Sequence, residues 1–113
     1  MKLYLDDIRN PHQSGYQDSE WVVVRNYNEF VSAIKKYFSN LDVVSFDHDL
    51  ADFDSDGNEL TGYTCVKWLC DYILDNDLDI SNLEIMFHTA NTVGKVNMMC
   101  YWNNFKEYYE EQQ

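Results

Sequence analysis

Val43-Val44-Ser45-Phe46-Asp47-His48-Asp49-Leu50 is the stretch on which the reading of this chain turns. It is apolar and strand-like up to Phe46, then changes abruptly to two carboxylates and an imidazole, where a buried strand would end. Leu3-Tyr4-Leu5-Asp6-Asp7-Ile8-Arg9 near the start and Phe87-His88-Thr89-Ala90-Asn91 late in the chain repeat the layout. In each, an apolar run stops at groups that bind metals or phosphates.

Working outward, Lys2–Leu5 predicts a short buried strand and Trp21–Arg25 a Val-rich one, with a polar loop over 10–20 around Asn10-Pro11 and Gly15. From Asn26 to about Asn40 the spacing turns helical: Phe30, Ile34, Tyr37, Phe38 and Leu41 recur on one side, with Lys35 and Lys36 on the other. Asp42–Phe46 is the next strand and 52–60 an acidic loop. A second helix starts at Thr61 or Gly62 and runs to about Asp75, with Val66, Leu69, Cys70 and Ile73 as its buried stripe. Leu83–Phe87 is a fourth strand. A last helix runs from near Gly94 to about Glu110, with Met98, Trp102, Phe105 and Tyr109 on one face.

Strands alternating with helices predict an α/β fold with a mainly parallel four-stranded sheet. Such sheets bury both faces, which suits Trp21-Val22-Val23-Val24 and Val43-Val44. They bind ligands beyond the carboxyl ends of their strands. Fold and candidate site therefore point to the same edge.

The 113 residues are enough for one domain with a real core, and 45% hydrophobic and 16% aromatic content marks a globular chain. No apolar run approaches the roughly 18 residues of a membrane span, and the N-terminus leads straight into a strand pattern. Three cysteines at no metal-ligand spacing read as reduced thiols in a cytoplasm. The net charge of −12 argues against binding along duplex DNA, which rests on Lys and Arg. It permits a small phosphorylated ligand in a pocket whose local field a metal or a few cations reverse.

Asp6, Asp7, Asp47 and Asp49 form the first constellation. Two carboxylates 4 Å apart repel by roughly 4 kcal/mol at an effective dielectric of 20. A hard divalent cation, Mg²⁺ or Mn²⁺, relieves that repulsion; the plain alternative is a turn cap and solvated acids. His48 and His88 suit acid–base work near neutral pH or metal ligation. Strand alternation turns His48 away from Asp47 and Asp49, which makes His88 the better candidate. Arg9 and Arg25, at strand carboxyl ends, either clamp phosphate oxygens or neutralise the acidic cluster. Thr89, Asn91, Lys95 and Asn97, with Gly94, precede or open the last helix, where an anion site and ordinary capping need the same residue types. Asp52-x-Asp54-x-Asp56-Gly57 imitates half an EF-hand loop, but Tyr63 stands where the bidentate Glu belongs.

Leu-Asp-Asp-Ile-Arg-Asn-Pro (5–11), Ser-Phe-Asp-His-Asp-Leu (45–50), Thr61-Gly62-Tyr63 with Trp68-Leu69, and His-Thr-Ala-Asn-x-x-Gly-x-x-Asn-Met (88–98) together resemble the cyclic-phosphate processing receiver-like domain family. The resemblance implies a receiver-like three-layer sandwich, truncated after its fourth strand–helix unit. It implies a metal-binding acidic pair at Asp6 and Asp7, with Asp47 near the phosphoacceptor position, as nucleophile or metal ligand. His48, Asp49, His88 and Asn91 would be added site residues acting on cyclic phosphate ends or related nucleotides. A polar loop replaces the first receiver helix, and the fifth strand with its Lys is absent, which argues against regulated phosphotransfer. By the same resemblance, Lys95 stands where relatives often carry Arg.

The leading expectation is a metal-assisted phosphoesterase acting on a small nucleotide or RNA terminus. Asp6, Asp7 and Asp47 would hold the ion with Asp49 as a further partner, Arg9 and Arg25 would clamp charge, and His88 would move the proton. A non-enzymatic module holding a nucleotide signal or metal is the second. An acidic interaction protein occupying a basic protein partner, with an exposed Tyr101, Tyr108 and Tyr109 end, is the third.

Overall fold

The computed structural model describes residues 1–112. Four strands form one sheet: β1 Lys2–Leu5, β2 Trp21–Val24, β3 Val43–Phe46 and β6 Glu84–Phe87, all parallel, in the order β2-β1-β3-β6. The hairpin β4 Asp52–Phe53 and β5 Glu59–Leu60 stands apart, where the sequence predicted only a loop. Two-residue strands are too short to show a period of two. The turn between them is closed by the Asp54 carboxylate, which accepts from the backbone N–H groups of Asp56 and Asn58. Asp52 likewise accepts from the N–H of Tyr27. These acids serve the backbone.

Alternation along the strands sorts the two faces of the sheet. Leu3, Leu5, Val24, Val44 and Phe46 enter one continuous core with buried residues of α1 Tyr27–Tyr37, α2 Gly62–Asn76 and α3 Thr92–Glu111. The second helix buries the predicted stripe of Val66, Leu69, Cys70 and Ile73, with Cys65 added. On the other face, the 10–20 segment folds into two 3₁₀ turns, Pro11–Ser14 and Asp18–Glu20. It supplies the third layer of the receiver-like sandwich without an α-helix. Tyr16 stacks on Trp21 at 4.9 Å, and both meet Tyr4 of β1 edge-on. The Tyr4 and Ser14 hydroxyls are 2.8 Å apart.

Three expectations change. β2 is an edge strand and Val22 is 40% exposed, so that run is not buried on both faces. The last helix starts at Thr92, because Asn91 accepts from the N–H of Gly94 and caps it earlier than expected. Tyr109 is buried, its hydroxyl donating to the Leu78 carbonyl at 2.7 Å, so the tyrosine-rich end is not wholly exposed. Cys65, Cys70 and Cys100 are free thiols. No helix of the described residues is long and apolar enough to cross a membrane.

The register positions the site. Leu5 pairs with both Val24 and Phe46, and Phe46 pairs with Phe87, so the four strands end level. One further rung continues the ladder: Asp6 N–H to Val24 O, Asp47 N–H to Leu5 O and His88 N–H to Phe46 O, at 3.1, 2.9 and 3.0 Å. The α2 N-terminus then closes on the β3 end, with Gly62 N–H donating to the His48 carbonyl at 2.7 Å. A Cβ on Gly62 would lie 1.8 Å from the Asp47 carbonyl oxygen, a backbone clash that no rotamer relieves. Gly62→Ala is therefore expected to cost about 3 kcal/mol or more, read as a lowered urea midpoint. An unchanged midpoint would contradict this close approach.

Candidate functional site

Asp6 and Asp47 follow adjacent parallel strands, so their side chains meet at the point where the strand order reverses. Both are buried, with 1% and 6% of their surface exposed. Asp7 is half-buried, and ligand oxygens of Asp6, Asp7 and Asp47 all lie within 4.8 Å of one another.

Each carboxylate is held differently. Asp6 Oδ1 accepts from the N–H groups of Ile8 and Arg9 at 2.9 and 2.8 Å, and Oδ2 from Arg9 Nε at 2.9 Å. Burial pushes its carboxyl up, but those amides and the Arg9 charge more than offset this, and it ends below the ordinary range. Asp47 accepts from the His48 N–H at 2.9 Å and from Arg9 at 3.3 Å, and the Thr89 hydroxyl stands beside it. Burial raises its carboxyl, the neighbouring Asp6 charge adds to this, and it stays above the ordinary range. The cluster is thus under-neutralised at Asp47. Asp7 has no side-chain hydrogen bond among the described residues and is free to coordinate.

The two arginines divide their work. Arg9 bridges Asp6 and Asp47 and serves as the cluster's internal counter-charge. Arg25 donates to the backbone carbonyls of Asp6 and Arg9 and to the Asn10 side chain. Its fork satisfies the turning loop after β1 and braces it from the neighbouring strand end.

The two histidines also separate. The His88 side chain is 2% exposed, lies against Tyr4 with ring centres 4.2 Å apart, and has both nitrogens engaged. Because Asp6 accepts only, Nε2–H donates to it at 3.1 Å, and Nδ1 then accepts from the Ser45 hydroxyl at 2.7 Å. Burial holds the ring neutral, its pKa lowered to about 4 despite the opposing pull of Asp6. His88 therefore orients Asp6, with both of its ring nitrogens engaged. His48 is 18% exposed, and its Nδ1 meets Asp49 Oδ1 at 2.9 Å. Its ring lies on Gly94 so closely that a Cβ there would be 2.5 Å from it.

Asp49 falls outside the metal-sized cluster: it is exposed and spent on His48 and on the Asn91 amide, at 3.2 Å for the nearer Asn91 contact. Asn91 is occupied as the α3 cap. Lys95 and Asn97 are exposed on the opening turns of α3 and make no ion pair or side-chain hydrogen bond among the described residues. Sequence reasoning missed Ser45, Tyr4, Gly62 and Arg25's bracing role. Ser45 left one trace, a hydroxyl inside an otherwise apolar strand.

A family model described as the cyclic-phosphate processing receiver domain matches residues 1–104. Searches of curated proteins and of solved structures returned no match.

A neutral buried imidazole predicts a pH signature for the metal-free protein. The His88 pKa is about 4 in the folded state, against an ordinary value of 6.5. Between those values the unfolded chain binds the extra proton, so stability is complete above about pH 6.5, falls as pH drops, and levels near pH 4. The loss is on the order of 3 kcal/mol. Protonation of Asp6, held low, removes more below the ordinary carboxylate range, while Asp47, held high, takes its proton above that range and adds stability there, against the His88 slope. Urea midpoints between pH 4 and 7 should slope in the native chain and flatten in His88→Gln. Equal slopes would refute the assignment.

Proposed function

The chain belongs to the cyclic-phosphate processing receiver domain family, and from that premise we propose that it is a phosphoesterase opening a cyclic phosphate on a small nucleotide or an RNA terminus, with a divalent cation. The observation that carries this is the convergence of Asp6, Asp7 and Asp47 within 4.8 Å, two of them buried. The donor set fits the cation: it is all oxygen, which selects hard ions such as Mg²⁺ or Mn²⁺ over thiolate- or imidazole-seeking metals. Asp47 is held above the ordinary carboxylate range by burial and by Asp6 despite Arg9, and a bound cation would add positive charge there.

When bound, the ion supplies Lewis-acid polarisation of a phosphoryl oxygen and a more acidic water. The chain's own groups do the rest. Asp6, fixed by two amides and by His88, is the rigid ligand, and Asp7 is the adaptable one. Arg9 already spans the two carboxylates, and its fork is the cation nearest to a phosphate docked there. The first N–H groups of α3 and the Thr89 hydroxyl border the same ground and favour an anion. Of the two imidazoles, His48 is the one that solvent reaches, so it takes the proton-transfer role first expected of His88. In the reaction water adds to phosphorus, one ribose oxygen leaves with a proton, and a phosphomonoester results.

One observation favours retention without turnover as the second reading: Arg9 closes the cluster and His88 is locked by Ser45 and Asp6. The experiment separates the two. With Mn²⁺ or Mg²⁺, a 2′,3′-cyclic nucleotide should be converted to the monophosphate, detected by mass spectrometry and abolished by EDTA. Asp47→Asn should lower the rate by about a hundredfold or more while leaving the thermal midpoint near that of the native chain. Unchanged nucleotide that co-purifies with metal-loaded protein would establish the binding module instead. Failure to bind either ion would end both.

A further inference from the structure

At the opposite edge of the sheet, beyond the amino ends of β3 and β6, lies a cavity of about 470 Å³ that the aspartate site does not use. It opens between the end of α1, the end of α2 and the Leu78–Leu83 connection. Phe38, Leu41, Leu78 and Leu83 give it an apolar floor, and the Tyr72 ring forms one wall. Phe38 and Tyr72 meet edge-on with centres 6.4 Å apart. Lys35 and Lys36 stand at its mouth, both exposed, and neither makes an ion pair among the described residues.

Charge makes this unusual. The chain carries 20 acidic and 8 basic residues, so cations are scarce. Arg9 and Arg25 are committed to the aspartate edge, and Lys2 and Lys106 pair with Glu20 and Glu110. Lys35 and Lys36, the latter with its Nζ 5.1 Å from the Tyr37 ring centre, are a large share of what remains. Their place in the last turn of α1 offsets the negative end of that helix. The helix end accounts for the charges but not for the apolar cavity beneath them. One acid lines the same cavity: Asp79, whose carboxylate accepts from the Ser81 N–H.

We propose that this cavity binds a small planar aromatic anion, with the ring on Phe38, Leu78, Leu83 and Tyr72 and the charge facing Lys35 and Lys36. The volume admits one bicyclic ring system, in the size range of small-ligand pockets. An inorganic anion gains nothing from the floor, and a neutral ring gains nothing from the lysines. Asp79 opposes the charge, and so the two kinds of charge change should act in opposite directions.

The structure supplies its own reporter. Tyr72 stacks on Trp68 with centres 5.0 Å apart and planes 15° from parallel, so a ring against Tyr72 shifts the Trp68 indole resonance. The probe is naphthalene-1-sulfonate, titrated into ¹⁵N-labelled protein without divalent ions. Saturable shifts are expected at the Trp68 indole and at the Leu78 and Leu83 amides, with the Trp21 and Trp102 indoles still. The exposed double variant Lys35→Gln, Lys36→Gln should weaken binding about fivefold, and Asp79→Asn, which keeps its acceptor for Ser81, should tighten it about twofold. 1-Naphthol should bind more weakly than the sulfonate, and sulfate alone should move nothing. Non-saturating shifts, shifts centred on Asp47, His48 and Asn91, or the same affinity in all three proteins would overturn the proposal. None of these outcomes depends on phosphoesterase activity.

Discussion

The constraint on which the rest of the molecule depends is the level ending of β1 and β3 in a parallel ladder. Because Leu5 pairs with Phe46, the next residues must stand side by side, and both are aspartates. Parallel pairing leaves no lateral freedom to separate them. At about 4 Å and an effective dielectric of 20, the repulsion is roughly 4 kcal/mol. Two amides and Arg9 absorb part of it at Asp6, while at Asp47 burial raises the carboxyl and the Asp6 charge adds to the rise. A fold that only needed stability would place apolar residues in this row. Keeping two acids there leaves a standing affinity for positive charge.

The neighbouring parts follow from holding that row still. Arg9 supplies a counter-charge from the same loop that its backbone N–H helps to turn onto Asp6. Arg25, one strand over, ties the carbonyls of that loop and so fixes Arg9 indirectly. From the sheet's other face, Ser45 and Tyr4 hold His88 against Asp6. Gly62 and Gly94 let the starts of α2 and α3 press on the backbone of Asp47 and the ring of His48. The aspartates are thus gripped from both sides, and only Asp7 is left adaptable.

Much of this was legible in the sequence, and its limits have physical causes. The strands announced themselves because an apolar run cannot continue through Asp6 or Asp47, and α2 did so because its buried stripe repeats at helical spacing. Asp6, Asp7 and Asp47 could be grouped because parallel sheets gather strand ends. What escaped was whatever depends on register and burial together. Nothing local says that β3 lies beside β6, so nothing local says that Ser45 will meet His88. Arg25 looked like a phosphate clamp because guanidinium chemistry is the same whether its acceptors are phosphate oxygens or loop carbonyls. The 52–60 hairpin was hidden by its brevity, and its acids, which resembled half a calcium loop, proved to be turn and cap acceptors.

The division between the two histidines shows most sharply what burial adds to chemistry. As residue types they are interchangeable, and each follows an apolar strand by one or two positions. His88 continues the β6 ladder by one rung, which places its side chain on the face shared with Ser45 and Tyr4 and away from water. His48 comes one residue past the last rung of β3, where the chain has begun to turn toward α2, and its ring emerges beside the α3 cap. A displacement of one residue along a strand therefore converts the same side chain from a neutral strut for a carboxylate into a group that solvent can reach. The strand-end pattern that marks a site in such a sheet locates its chemistry, but the rung at which each ladder stops assigns the roles.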